Sequence, residues 1–267
     1  MRSRDVLPCL SIAVLLALPA PPASAQAWQT SCDGRERNDD RGRHCMVKDL
    51  TLSPTGSLEV DAGPNGGVQV SGWDRDQIAV RVIVVGHART DDRARALASD
   101  VRIEADRGSI RAKGPSTGRN ENWSASYEIY VPRSQNLDLE TTNGGVEVND
   151  VRGTMALATV NGGVHLRNLG GDVRARTTNG GLHIELSGSR WQGAGLDAQT
   201  RNGGVSLTMP DGYSARLETG TTNGGLEIDF PVMVQGRVTK RVSVTLGDGG
   251  PPIRATTTNG GVHIKRQ

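Results

Sequence analysis

The chain has 267 residues and a formal net charge of +2, with 35 glycines but only 4 Trp, 3 Tyr and 1 Phe. Glycine at nearly twice its usual ~7% share, with so few aromatic side chains, excludes an ordinary thick core filled by rings. The absence of a three-residue glycine period excludes collagen, and regular alternation of Val, Leu and Ile excludes a disordered polyampholyte.

Residues 1–25 read as a secretory signal peptide. Arg2 and Arg4 form a positive start, Val6 to Leu18 is apolar, and Ala23-Ser24-Ala25 is a cleavage site. The apolar run is too short for a transmembrane helix and contains Pro8. Cys9 lacks the small-residue box of a lipidated cysteine. The expected location is periplasmic or secreted, without stable membrane insertion. Loss of Arg2, Arg4 and Asp5 leaves the remaining chain within one charge of neutral. That argues against a nucleic-acid partner, since such proteins carry a basic excess.

Residues 26–45 are a polar segment. Cys32 and Cys45 are expected to form a disulfide in an oxidising compartment. The loop between them, Asp33 to His44, is crowded with Arg and Asp and has nothing to bury. A metal site from Cys32, Cys45 and His44 falls short of the usual four ligands.

Residues 46–132 read as an irregular β-rich start or cap. Leu58-Glu59-Val60 leads through Asn65-Gly66-Gly67 to Val68-Gln69-Val70. Ile78 to Val85 is β-branched and predicts a strand. Asp91 to Ala98 predicts the one helix, short, with Thr90 as N-cap and acids in its first turn. Strands follow at Val101–Ala105, Ser109–Lys113 and Ser126–Val131, with a polar loop over Gly114–Glu121, and Pro132 marks the entry to a regular array.

Residues 133–267 are dominated by repetition. Asn-Gly-Gly begins at Asn65, Asn143, Asn161, Asn179, Asn202, Asn223 and Asn259. From Asn143 the spacings are 18, 18, 23, 21 and 36. The last is a doubled 18 and predicts a turn without the tripeptide near Lys240. Apolar residues alternate on both sides of each tripeptide, so a unit of about 18 residues holds two short half-buried strands. Glycine tolerates positive φ in the Asn-Gly-Gly turn. The other turn is looser, as at Val151-Arg152-Gly153.

An antiparallel meander would use Asn-Gly as hairpin turns. A parallel solenoid would stack each coil on the last at ~4.8 Å. The fixed or doubled period favours the solenoid, as do the extra residues around Glu185–Gly195, which avoid the Asn-Gly-Gly turn. By parity, Thr141, Thr159, Thr177, Thr200, Thr221 and Thr257 point inward with the apolar residues, as do the Asn residues two places later. Stacked Asn amides would hydrogen-bond along the axis and satisfy a polar corner of a narrow core.

The run Tyr127-Glu128-Ile129-Tyr130-Val131-Pro132 through Leu137 to Val148 resembles the bacterial envelope β-strand-repeat proteins, the "putative adhesin" family of unknown function. Val68-Gln69-Val70-Ser71-Gly72-Trp73-Asp74 is similar to that family's first repeat, and Gly247 to Ile253 leading into Asn259 to its last. The resemblance covers roughly residues 46–265. It implies an all-β, right-handed, β-helix-like solenoid in the cell envelope, with motifs that specify turns and strands rather than chemistry. The segment holding Cys32 and Cys45 departs from the family pattern.

If the coils stack in chain order, the outward position after each tripeptide reads Glu147, His165, His183, Ser206, Glu227 and His263. His165, His183 and Glu147 would lie on neighbouring rungs as candidate ligands for Zn²⁺ or Cu²⁺. The competing reading is a solvated polar ladder, which needs no ordered second shell. Thr142, Thr178, Thr222 and Thr258 form an outward column of the ice-binding kind, but Val160 and Arg201 interrupt it. Arg190 and Trp191 are candidates to stack on sugar. Catalytic and phosphate-binding motifs are missing from the sequence. A carbohydrate-active β-helix enzyme is therefore a minor alternative, and no cofactor is expected. The reading is an exported, non-enzymatic protein that presents a repetitive face to an envelope polymer or a protein partner. The alternative is a structural or stress-linked module acting through its end coils, which expose strand edges.

Overall fold

The computed structural model describes residues 28–32, 42–229 and 240–267. The expected signal peptide, most of the Cys32–Cys45 loop and residues 230–239 lie outside the described residues. The fold is all-β with long parallel sheets, and one helix among the described residues. Two ten-stranded sheets, A and B, face each other across a narrow core of Val, Leu, Ile and Ala.

From Asn136 the chain alternates between sheets. Sheet B receives β8 (Asn136–Thr141), β10 (Arg152–Asn161), β12 (Gly170–Asn179) and β14 (Gly195–Asn202). Sheet A receives β9 (Val146–Asn149), β11 (Val164–Arg167), β13 (Leu182–Glu185) and β15 (Val205–Met209). These strands pair in parallel, with like residues in register: Val146, Val164, Leu182 and Val205 on one side, and Leu137, Met155, Val173 and Leu196 on the other. A hairpin meander is therefore excluded within the array.

The Asn-Gly-Gly corner is built from three interlocked contacts between coils. Five of the six inward Thr hydroxyls donate to the carbonyl of the first glycine in the adjacent coil: Thr141 to Gly66 (2.5 Å), Thr159 to Gly144, Thr177 to Gly162, Thr200 to Gly180 and Thr257 to Gly203 (each 2.8 Å); Thr221, on the outermost of these coils, makes no such bond. Asn side chains form a ladder, with Nδ2 of one donating to Oδ1 of the next at 2.7–3.2 Å through Asn65, Asn143, Asn161, Asn179, Asn202, Asn259 and Asn223. The first-glycine amides donate to Asn carbonyls, as in Gly162 to Asn179 (3.0 Å). The Thr side is buried, but the Asn ladder from Asn143 onward is solvent-exposed, so it lines the outside of the corner rather than the core.

Glycine has a different role here from the expected one. Within the Asn-Gly-Gly turns only Gly260 has a φ in the left-handed range, at 150°. The first glycine is needed because coils approach closely. A Cβ on Gly144, Gly162, Gly180 or Gly203 would lie 1.9–2.0 Å from the carbonyl oxygen of the glycine one coil back. Positive φ belongs instead to the opposite corner, at Asp150 (59°), Asn168 (51°) and Gly171 (106°). There Asn168 Nδ2 donates to Asp150 and Ser187 donates to Asn168, so that turn is also laddered.

Coil order departs from chain order at both ends. At the C-terminal end, β19 (Pro252–Asn259) and β20 (Val262–Arg266) insert between β14–β15 and the earlier coil of β16 (Ala215–Asn223) and β17 (Leu226–Ile228). The predicted turn near Lys240 is no coil: β18 (Arg241–Leu246) runs antiparallel along β16 and closes that edge. The N-terminal end mirrors this. The first coil, β2 (Ser57–Asp61) and β3 (Val68–Trp73), lies beneath a later one formed by β6 (Ser109–Lys113) and β7 (Asn122–Pro132). Antiparallel strands β1 (Gly42–Leu52), β4 (Ile78–Ala88) and β5 (Arg102–Asp106) finish the two sheets. Both chain-terminal coils are thus clamped between neighbours, and the edge strands are β1, β17, β18 and β5. The expectation that the Gln267 end exposes a pairing edge is corrected: β20 has β15 on one side and β17 on the other.

Helix α1 (Asp91–Asp100) starts at Thr90, whose hydroxyl accepts from the Arg93 amide at 3.3 Å, and it buries Ala94, Leu97 and Ala98. It packs over β1 and β4, where Gly86 and Gly42 give backbone clearance. The segment 28–32 straps the outer face of sheet A. Cys32 is bonded to Cys45 on β1. Trp28 packs edge-on against Tyr130, which stacks on Trp73, while Arg81 lies 4.7 Å over the Trp28 ring. Beneath the strap the buried Glu128 carboxylate accepts from the amides of Gln29 and Thr30 (2.9 Å each), from the Thr30 hydroxyl and from Tyr130.

Three stability outcomes are expected. Gly162→Ala forces a Cβ into the Gly144 carbonyl and costs about 2–4 kcal/mol by urea unfolding, as overpacking does. Gly225→Ala, with open space at its Cβ, stays within about 0.5 kcal/mol of the parent. Glu128→Gln places an amide donor against the strap's donors and costs about 2 kcal/mol. The same change loosens Trp28, seen as a red shift of its fluorescence.

Candidate interaction faces

Alternation sends every second side chain of sheet A outward. The first outward column follows the second glycine of each tripeptide. In space it runs Gln69, Glu147, His165, His183, Ser206, His263, Glu227. Sequence reading placed Glu227 before His263. The inserted terminal coil reverses them and sets His263 Nδ1 2.9 Å from a Glu227 carboxylate oxygen. A second column beside it reads Ser71, Asn149, Arg167, Glu185, Thr208, Lys265. Linear reading missed this column as a unit, although strict alternation two residues on was a sufficient signal.

The second glycine of each turn makes room for the imidazoles. His165, His183 and His263 fold back so that Nε2 would lie 3.3–3.5 Å from a Cβ on Gly163, Gly181 and Gly261. His165 and His183 are stacked, with centroids 4.6 Å apart and planes 19° from parallel. Stacking counts against the metal reading for His165, His183 and Glu147. Nitrogen lone pairs lie in the ring plane, so parallel rings aim them side by side instead of at one point. Asn149 donates to Glu147 at 2.8 Å, which further occupies that carboxylate. Among the described residues no three His, Cys, Asp or Glu side chains gather as a metal site.

The outward face of sheet B carries the Thr column. Its spatial order is Thr142, Val160, Thr178, Arg201, Thr258, Thr222. Val160 and Arg201 are exposed within it, so it is not a flat hydroxyl array. Trp191 does not offer a sugar platform. It is only 4% exposed, packs into the core where the chain bulges between β13 and β14, and donates from Nε1 to the Gly171 carbonyl at 2.9 Å. Two depressions lie on this face, of about 610 Å³ around Glu218 and Arg254 and about 480 Å³ around Ala158 and Arg176. Among the described residues no helix is long and apolar enough to cross a membrane.

The His stack gives a pH dependence whose sign follows from its surroundings. Partial burial, and next the neighbouring His165, hold the His183 imidazole below its usual value of 6.5; Glu185 pulls the other way. The unfolded chain therefore takes up the proton first as pH falls. Stability is complete above about 6.5 and declines as pH drops through the lower folded pKa. Urea midpoints measured at pH 7.5 and pH 5 should show this loss, and His183→Gln should reduce it. Zn²⁺ should give no thermal stabilisation that His165→Ala removes.

Among curated proteins none matches this chain. Three crystal structures are similar across 84% of it. One is a "putative cell adhesion protein" of Clostridium sporogenes, at 10% identity, TM-score 0.49 and 100% coverage of that chain. The second is a "putative adhesin" of Bacteroides fragilis, at 11% identity, TM-score 0.43 and 97% coverage. The third, a "putative lipid binding protein" of Parabacteroides distasonis, has 9% identity, TM-score 0.30 and 96% coverage. A family model also matches, over residues 50–265, and with it the protein belongs to the Toastrack DUF4097 family.

Proposed function

We propose that the protein is an exported, non-enzymatic envelope scaffold that presents the outward columns of sheet A to an extended polymer. The observation that carries this reading is register. Seven rungs offer a polar side chain in the first column and six of them offer one in the second, each rung one strand spacing, ~4.8 Å, from the next. Such a face meets a repeating ligand with the same contact many times, and weak contacts then add through effective concentration. Imidazole, carboxylate, hydroxyl and amide groups on it suit the hydroxyls of a cell-envelope glycan. In this reading the coils wind right-handed, the hand strongly preferred by parallel crossovers.

In this reading residues 1–25 direct export, 26–45 are the polar segment that bears the disulfide, 46–132 cap the array and 133–267 supply its regular coils. The periplasm or the exterior is the compartment that keeps Cys32–Cys45 oxidised. The sequence's lack of catalytic motifs supports binding without turnover.

Purified cell-wall polysaccharide should retain the protein. His165→Ala together with His183→Ala should weaken that retention about tenfold, the loss expected for one or two hydrogen bonds. Retention unchanged by these substitutions would sink the proposal for this face.

A further inference from the structure

The outer face of sheet B is divided by charge along its axis. On β2 and β8 it presents Glu59, Asp61, Asp138 and Glu140, all exposed and with no basic side chain among them. On β12, β14, β19, β16 and β18, which follow one another in space, it presents Arg174, Arg176, Arg201, Arg254, Arg216 and Arg241. The acids on the outer face of those strands already have partners: Asp172 is bridged by Arg174, Glu218 by Arg254, and Asp197 accepts from Gln199. Arg176 lies between Ala158 and Gln199, and Arg201 between Thr178 and Thr258, so neither has an acid across the strand gap. Neither makes an ion pair with a described residue.

The two depressions on this face are one groove. They share Gln199, Thr200 and Thr258, and together run from Glu140 on β8 to Arg241 on β18, six strand spacings or ~29 Å. The floor is low at Ala158 and at the buried Gly220, which lies between Thr256 and Arg241. Thr178, Thr222, Thr256, Thr258 and Ser243 line it with hydroxyls, and Gln199 with an amide. No aromatic ring is among its described lining residues. Both bonds from Arg254 go to Oε2 of Glu218, at 2.9 and 2.6 Å, which leaves Oε1 as an acceptor.

We propose that this groove binds a linear polymer of acidic sugars, lying along the solenoid axis from β12 to β18. The hydroxyls and the amide of the lining match sugar hydroxyls as donors and acceptors. Arg176 and Arg201 stand on successive rungs in neighbouring rows, and each guanidinium can fork onto a carboxylate. An extended sugar chain whose successive rings turn over carries its carboxylates on alternate sides, which suits that stagger. Without a ring platform the groove does not serve neutral sugars or unpaired bases that rely on stacking. The acids of β8 and β2 repel such a chain beyond β10, so the site is closed at that end and open past β18. This face is separate from the columns of sheet A, and the proposal does not rest on their function.

Isothermal titration calorimetry of the purified protein with polymannuronate oligosaccharides tests this, against the same oligosaccharides with their carboxyls esterified. The acid form should bind, less tightly as salt rises, and the ester should bind about tenfold more weakly or not at all. Arg176→Gln together with Arg201→Gln should weaken binding of the acid form about tenfold or more, and Arg176→Gln alone by a smaller factor. Arg167→Gln, the same loss of charge on sheet A, should leave it unchanged, as should His165→Ala with His183→Ala. All these positions are exposed, so urea midpoints should stay near that of the parent. No binding of the acid form, equal binding of the ester, indifference to the Arg176 and Arg201 changes, or an equal loss on Arg167→Gln overturns the proposal. So does equal binding of a DNA strand of the same charge, which marks a general polyanion surface.

Discussion

The rest of the structure depends on the distance between successive Asn-Gly-Gly corners. Parallel strands stack at ~4.8 Å, so every atom at a corner has its counterpart one rung away. The first glycine leaves no room for a side chain there, with a hypothetical Cβ about 2 Å from the next carbonyl. That same closeness lets a buried Thr hydroxyl reach the carbonyl and an Asn amide reach its neighbour. Remove the glycine and the coils separate; remove the Thr and a buried carbonyl loses one partner. The corner is one cooperative arrangement, and its tolerance for change is low at the glycine and higher at the exposed Asn.

A stack of this kind has a weakness at its ends, where strands would expose unpaired edges. The protein handles this by topology. Neither terminal coil is outermost. The outer rungs are made by internal segments; antiparallel strands cover β7, β6 and β16, while β17 stays an edge, and helix α1 over β1 and β4 and the disulfide-pinned strap across sheet A add cover at the other end. Terminal fraying, the usual low-energy opening of a chain, must then break pairings on both sides of the last coil. The scarce aromatic side chains follow the same logic: Trp28 of the strap packs on Tyr130 beside Trp73, and Trp191 fills the bulge between β13 and β14. Rings sit where the regular unit is interrupted, because the narrow interior between the sheets is already filled by aliphatic side chains.

Two faces remain, and they differ in character. Sheet A offers mixed polar columns with histidines tucked over glycine. Sheet B offers a charge-divided surface. Both are consequences of registration: a substitution at one repeat position lands beside its equivalents, so short-range variation in sequence becomes a pattern along the axis.

The sequence by itself determined the unit. Period-two alternation, the Asn-Gly-Gly spacing and the inward Thr were enough to establish two strands per unit and to favour parallel stacking with an Asn ladder over a hairpin meander, because those features are local and repeat. The short helix at Thr90 and the Cys32–Cys45 bond were legible for similar reasons, one from its cap and acids, the other from the count of cysteines. What only the tertiary structure decided is non-local. The order of coils at each end reverses without any local mark, since a coil carries the same pattern wherever it is inserted; His263 therefore meets Glu227 from the opposite side to that expected. Parity could tell that His165 and His183 share a face but not that their rings stack, which depends on side-chain rotation over Gly163 and Gly181. The reason for glycine itself was misread from the sequence as backbone φ, because the carbonyl that excludes a Cβ belongs to a residue 18 or more positions away and becomes a neighbour only when the coils close.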